Sequence, residues 1–417
     1  MSELSTYRHG RDGPPVESGR GSVGAVLEVA ATFLRLGCIS FGGPVAHLGH
    51  LRAEIVDRRQ WLNDQHYGDL VALCQFLPGP ASSQVVFALG MHRAGLLGAI
   101  VASVCFTLPS ALLMIGFAYQ VAHVSEMRGA GWLHGLKLAA VAVVAQAVWG
   151  MGSKLCIDRP RLTLCVLSAA TLLAVPGVMT QLGVIALGAA IGWWLYRGAI
   201  AVTVIPAEGR GEGRHVIAAG ALLSWLLLLV VLPAVASAAG SPDVVVFDSF
   251  YRSGSLVFGG GHVVLPLLRA EVVPHGWLTD DQFLAGYGAA QALPGPMFAF
   301  SAFLGASMGP GPANWANGLW CLLAIFLPGW LLIGGALPFW HRLRAQRGAQ
   351  AALAGANAAV VGVLLAAFYN PVFLESVHGT PDVVAVLIAF LLLVSWKAPP
   401  WLVVITAAAA GQWVLGP

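Results

Sequence analysis

Chemistry is to be expected first of two arginines, because each lies inside an apolar run. Arg35 sits in FLRLGCISFGG, which begins at Phe33, and Arg252 in FYRSGSLVFGG, which begins at Phe250. An arginine at bilayer depth costs roughly 2.5–3.5 kcal/mol on insertion scales. Two readings account for the pair. In one, each guanidinium meets a carboxylate or carbonyls, or reaches a headgroup; Glu28 lies two turns before Arg35 and Asp248 one turn before Arg252. In the other, the two supply fixed positive charge to an anion, and the planar guanidinium fork suits a tetrahedral oxyanion better than an ammonium does.

The second chemical feature is broken backbone within apolar stretches. The glycines of Phe41–Pro44 (Gly42, Gly43) and of Phe258–Gly261 (Gly259, Gly260) interrupt a helix, as do the triplets Pro78, Gly79, Pro80 and Pro294, Gly295, Pro296. Broken helices persist in a membrane only when buried in protein or lining a wet cavity. A half-helix restarting after Pro80 frees the amides of Ala81, Ser82 and Ser83. One restarting after Pro296 frees those of Met297, Phe298 and Ala299. Such starts attract anions, and Ser82, Ser83 and Ser301 add hydroxyls. The alternative is a plain kink at a helix contact. Gln75 and Gln291, just before the triplets, either line the same cavity or pack.

Glu54 and Glu271 follow the glycine breaks. They read as exposed connector charges, or as carboxylates that exchange a proton or latch a gate. His47, His50 and His262 are proton-handling candidates, since imidazole titrates near neutrality. His47 and His50 are too few for a metal site, and no metal or cofactor is expected. The six scattered cysteines, without a C-x-x-C, read as small buried hydrophobes.

These residues recur because the chain contains one unit twice. Arg35, Gly37, Phe41, Gly42, Gly43 and Glu54 reappear as Arg252, Gly254, Phe258, Gly259, Gly260 and Glu271. Trp61, Asp64, Gln75 and the first PGP reappear as Trp277, Asp280, Gln291 and the second. The chain is 58% hydrophobic and 10% charged, against roughly 25% charged in soluble domains. Runs near 20 apolar residues point to membrane helices, and the period-2 alternation of barrel strands is missing. The fold class is therefore all-α, polytopic and membrane-embedded. Residues 1–22 are read as a cytoplasmic tail, 23–197 as the first repeat, 198–240 as a charged linker with one helix, and 241–417 as the second repeat.

Six segments, one, then six give about 13 crossings, and the odd helix inserts the second copy upside down. Inverted repeats characterise secondary transporters and place a site where the copies meet. With the amino terminus inside, inside connections hold most of the 22 lysines and arginines, as the positive-inside rule asks. The weak spot is the 45–67 connection, placed outside despite Arg52, Arg58 and Arg59.

At Phe33–Arg52, Phe76–Gln84, Phe258–Leu268 and Leu293–Pro296 the chain resembles the chromate ion transporter (CHR) family in its long two-domain form. The resemblance implies a multi-pass protein of the bacterial inner membrane that expels chromate, is driven by the proton motive force and confers resistance, with sulfate as a look-alike. It carries Arg35, Gly42–Gly43, the first PGP and their second-copy partners into a transport pathway. One departure is that Gly261 stands where the first copy has Pro44. Expected partners are chromate, sulfate, protons and lipid, with a homodimer open and nucleic acid not expected. An anion channel is the rival reading. An intramembrane reductase lacks clustered thiols or a cofactor motif, and no Walker A or Rossmann fingerprint appears.

Overall fold

A computed structural model describes residues 22–124, 131–198, 213–258, 261–309, 313–340 and 346–413, all helix and connection without a strand. The first copy holds α1 (Val23–Ile39), α2 (Gly43–Arg52), α3 (Asp64–Phe76), α4 (Ala81–Val124), α5 (Gly131–Leu155), α6 (Arg159–Ala174) and α7 (Val178–Tyr196). The connecting helix is α8 (Gly213–Ala239). The second copy holds α9 (Pro242–Ser255), α10 (Val264–Val272), α11 (Asp280–Gln291), α12 (Phe300–Ser307), α13 (Trp315–Ala336), α14 (Arg347–Ala367), α15 (Thr380–Val394) and α16 (Pro400–Trp413). Six helices are long and apolar enough to span a membrane. The expected breaks end α1, α3, α9 and α11. Gly259 and Gly260 lie outside the described residues, as do the tail to Gly21 and linker residues 199–212.

Within α4 the dihedrals leave the helical region at Ala94 and Gly95 (φ +67°). Gly90 there packs against the backbone of Gly98, too close for one straight helix, so α4 folds back as two limbs. In the second copy α12 and α13 repeat this hairpin, with Gly305 against the Asn317 carbonyl.

Which helix ends lie together decides the topology. Lys137, two turns into α5, donates to Asp281 at the start of α11 (2.8 Å) and to the Glu375 carbonyl beyond α14 (3.4 Å). These ends share one face, the far face. At 21 residues, α14 is about 31 Å long and begins at the opposite face. A short connection makes α13 end there and start at the far face. Trp320, near that start, donates to the Asp243 carbonyl at the start of α9 (3.0 Å). The chain therefore leaves the far face along α9 and is back before α11, then leaves along α11 and is back before α13. Helix α9, with 14 residues, is the longest of these four, and at about 21 Å it falls short of a core near 30 Å.

The first copy does the same from the opposite, amino-terminal face. Glu28 in α1 takes Arg59 from beyond α2 (2.8 Å) and Arg93 from the end of the first α4 limb (2.7 Å). The expectation of six crossings per copy is thereby corrected to two re-entrant pairs followed by four helices that run between the faces, though α15 and α16, with 15 and 14 residues, are no longer than the re-entrant ones. The 45–67 connection, expected opposite the amino terminus, lies on its face. The 267–282 connection lies at the far face. Parity survives the correction: α8 is still the odd crossing, and the copies point in opposite directions.

The copies also exchange partners. Gly131 and Gly135 of α5 press on the backbone of α16 at Gly411 and Ala407, and the equivalent Gly355 of α14 presses on Gly188 and Gly192 of α7. Small residues permit such close approach where lipid gives no hydrophobic drive. Gly37 against Phe106 and Gly254 against Ile325 repeat the theme within each copy, which accounts for that matched pair. By contrast α8 keeps Val216, Ile217, Leu223, Leu227 and Val230 exposed, a lipid-facing composition.

Candidate functional site

The four re-entrant tips meet in the middle of the body. The Gly79 amide of the first PGP donates to the Val257 carbonyl at the second copy's glycine break (2.7 Å), and the Gly295 amide donates to the equivalent Ser40 carbonyl (2.8 Å). Reciprocal bonds between matched positions are what a two-fold relation requires. Both donors have positive φ, +114° at Gly79 and +91° at Gly295, which an L side chain resists. A Cβ at Gly295 would also meet Ser110 Oγ at 2.8 Å, and one at Gly79 the Gln84 amide at 2.9 Å. Gln84, fully buried, donates to the Pro78 carbonyl (2.8 Å) and braces that break.

Around the tips, buried polar atoms are left without partners: Ser40 Oγ, Ser83 Oγ, Gln84 Oε1, Ser255 Oγ and Gln291 Nε2. Buried polar groups are nearly always paired in folded proteins, so a cluster of exceptions calls for an explanation. A cavity of about 350 Å³ adjoins it, lined by Phe41, Gly42, Gly43, Gln146, His262, Gln291, Gly295, Met297 and the Lys397–Pro400 turn. It joins the first copy's glycine break to the second copy's PGP break. The α15–α16 turn that carries Lys397 lies towards the amino-terminal face, since α15 starts at the far face by the His134–Asp382 contact (2.8 Å). A second cleft of about 140 Å³ lies at the far face, lined by Pro176, Gly177, Gln181, Arg269, Ala366 and Asn370 among others. No tip residue borders it.

The chamber's chemistry suits an anion. Lys397 brings a cation, held on a backbone with φ +52°. Helix α2 begins at Gly43 with no side-chain cap, behind Gly42 at φ +94°, so the Gly43 amide is open to an acceptor, while Pro44 after it has no N–H to give. His262 Nδ1 and the Tyr287 hydroxyl are hydrogen-bonded to each other (2.8 Å). Among the described residues, no His, Cys, Asp and Glu side chains gather in threes as a metal would need.

Comparison of the sequence with known proteins identifies a family. The chromate transporter family pattern fits residues 27–193 and, a second time, 244–412. The chain belongs to the chromate transporter family. The chromate transport protein of Pseudomonas aeruginosa is 30% identical over 94% of this chain and 92% of the relative. The probable chromate transport protein of Synechococcus elongatus is 28% identical over 93% and 95%, and the chromate transport protein of Cupriavidus metallidurans 28% over 92% and 93%. No solved structure matches.

In this transporter the anticipated site residues divide. Gly42, Gly43, His262, Gln291, Gly295 and Met297 line the chamber, with Pro294 and Pro296 buried beside it. Pro78, Gly79, Pro80, Ala81, Ser82 and Ser83 form the matching tip, where α4 restarts at Ala81 as anticipated; the second copy restarts through a single 3₁₀ turn, Met297–Ala299. Gln75 and His50 are exposed, and His47 is buried edge-on against Phe106. Neither arginine lines the chamber. Arg35 reaches Glu54 (3.5 Å), and Arg252 reaches Asp248 (3.0 Å) and Glu271 (3.2 Å). Pairing with carboxylates, the first of the two readings, describes their geometry, with Asp248 as the near partner of Arg252; Glu28, offered for Arg35, instead serves Arg59 and Arg93.

Glu54 is shared by Arg35, Arg58 and Arg59. Partial burial pushes its carboxyl up, but hydrogen bonds from Arg59 and Arg58 outweigh this and hold it below the usual carboxylate range. Its geometry is that of a latch, not of a group poised to take a proton. Trp61 is buried between the Arg59 and Arg93 guanidiniums (5.5 and 5.4 Å to the ring). Lys397, Gln146 and Gln84 went unanticipated. Lys397 falls in a short turn opposite Val175, so no repeat flags it, whereas Gln84 stood within a motif already singled out.

Proposed function

We propose that this transporter exports chromate from the cytoplasm of a bacterial cell across the inner membrane, with the proton motive force supplying the drive and chromate resistance the outcome. The observation that carries the reading is the chamber at the tip junction, with Lys397 and the uncapped α2 start inside it and an approach from the amino-terminal face. That face is the cytoplasmic one by its charge. Among the described residues it holds Arg52, Arg58, Arg59, Arg93, Lys154, Arg159, Arg161, Arg197, Arg347 and Lys397, against Lys137 and Arg269 at the far face.

A dianion leaving a cell gains about 2.3 kcal/mol per charge per 100 mV, so outward movement is the favourable direction. The chamber binds the oxyanion by charge and an amide donor, and sulfate, of the same shape and charge, competes. Arg35–Glu54 and Arg252–Glu271 act as matched latches on the re-entrant pairs. A chamber reaching one face while the far-face cleft stops short of the tips favours alternating access over an open pore. Reconstituted vesicles loaded with labelled chromate, under an imposed voltage or pH gradient, test this. Saturable flux that concentrates chromate supports the carrier; flux that never exceeds the gradient and does not saturate would identify a channel.

A further inference from the structure

Among the described ion pairs, two join side chains of one copy to side chains of the other: His134 Nε2 to Asp382 Oδ1 (2.8 Å) and Lys137 Nζ to Asp281 Oδ1 (2.8 Å). Both lie at the far face, and both start from the first two turns of α5. All other pairs lie within one copy. Asp382 is buried to within 7% and also accepts from the His378 amide (2.8 Å), so its carboxylate is held from two sides. The His378 ring lies 5.9 Å from that of His134.

We propose that His134–Asp382 and Lys137–Asp281 form the gate that closes the far face, and that a proton on His134 tightens it. The inference rests on the alternating-access reading above. Among the described residues, the charged and titratable groups around His134 are Lys137 on its own helix, Asp281 from α11, Glu375 and His378 from the connection after α14, and Asp382 from α15; α16 contributes none. A protonated imidazole faces Asp382 as an ion pair, whereas a neutral one offers a hydrogen bond alone. The gate is therefore tighter with the proton on His134 than without it. For an exporter this gives an order of events. A proton arriving from the far face after the anion has left shuts that face and returns the empty carrier to loading.

Ala366, buried at the rim of the far-face cleft, reports the gate without any substrate. In nanodiscs, a chain with its six native cysteines replaced and Ala366→Cys introduced is labelled with a maleimide, each rate divided by that of the unfolded chain at the same pH. The normalised rate is expected to rise about fivefold between about pH 6 and pH 8.5. In His134→Gln and Asp382→Asn it is expected to be high at both. Lys137→Asp raises it, and Lys137→Asp with Asp281→Lys lowers it again, which a misfolded protein does not do. Labelling that ignores pH, or His134→Gln and Asp382→Asn variants that label as the parent does, overturns the gate. A responsive gate without chromate flux sinks the transport reading instead, and flux with an unresponsive gate sinks this one.

Discussion

The two copies place an arginine and a glutamate nineteen residues apart on the same scaffold and surround them oppositely. In the first copy one carboxylate, Glu54, is shared by three guanidiniums, Arg35, Arg58 and Arg59. In the second copy one guanidinium, Arg252, is shared by two carboxylates, Asp248 and Glu271. Counted back from Trp61 and Trp277, the position of Arg59 is taken by His275 and that of Gln60 by Gly276. Duplication kept the latch and reversed the charge around it. The basic version belongs to the copy that enters from the amino-terminal face, and the acidic one to the copy that enters from the far face. The first cluster carries an excess of positive charge and the second an excess of negative charge, so copies of one backbone pattern differ in the sign of their side chains.

Removing the shared partner should hurt far more in one copy than in the other. Arg252→Ala leaves Asp248 and Glu271, both nearly buried, without their common cation; stranding a buried charge costs about 3–5 kcal/mol. A large drop in detergent melting temperature or loss of folded protein is expected. If Arg252→Ala melts like the parent, the second cluster is not the one described.

Lys397→Gln comes next. It removes the one lysine of the chamber, and a roughly tenfold rise in KM for chromate, about 1.4 kcal/mol, is expected with folding unchanged. An unaltered KM would move the anion elsewhere. Arg35→Ala should be mild by comparison, because Glu54 keeps Arg58 and Arg59 and because Arg35 is exposed. The stability change should stay under about 1 kcal/mol, and a melt as damaged as that of Arg252→Ala would erase the contrast.

The smallest effect is expected in the pH response. Glu54 has its carboxyl depressed by arginines, so its contribution to stability is present above the ordinary carboxylate pKa and is lost only as pH falls through the lower folded value. Glu54→Gln should therefore change the rate without altering the shape of the flux profile between about pH 6 and 8. A profile that shifts would return Glu54 to the proton path.

Much of this architecture was legible in residue order. The doubling, the breaks at Gly42–Gly43 and Pro78–Pro80, and the latch pairs all stood at fixed spacing, because breakers and buried charges are too costly to scatter. The re-entrant turns were not legible. Two half-helices end to end, such as α3 with the first limb of α4, are as long and apolar as one crossing, and hydropathy cannot tell them apart. What separates them is the Glu28–Arg59 and Glu28–Arg93 contacts, which depend on three-dimensional closure. The misplaced 45–67 connection had left a trace in its three arginines, an excess of charge on the side where little was expected. The chamber's cation was invisible for another reason: Lys397 has no twin, and a reading built on repetition overlooks what occurs once.

Helix α8 buries little of itself and touches the rest of the body mainly along α9 and α13. Its contribution is arithmetic: one extra passage reverses the handedness of insertion for everything downstream. A single-copy ancestor able to settle in either orientation would pair with itself without any such spacer. Fusing the two into one polypeptide is what creates the need for it, and each half is then free to accumulate its own charges.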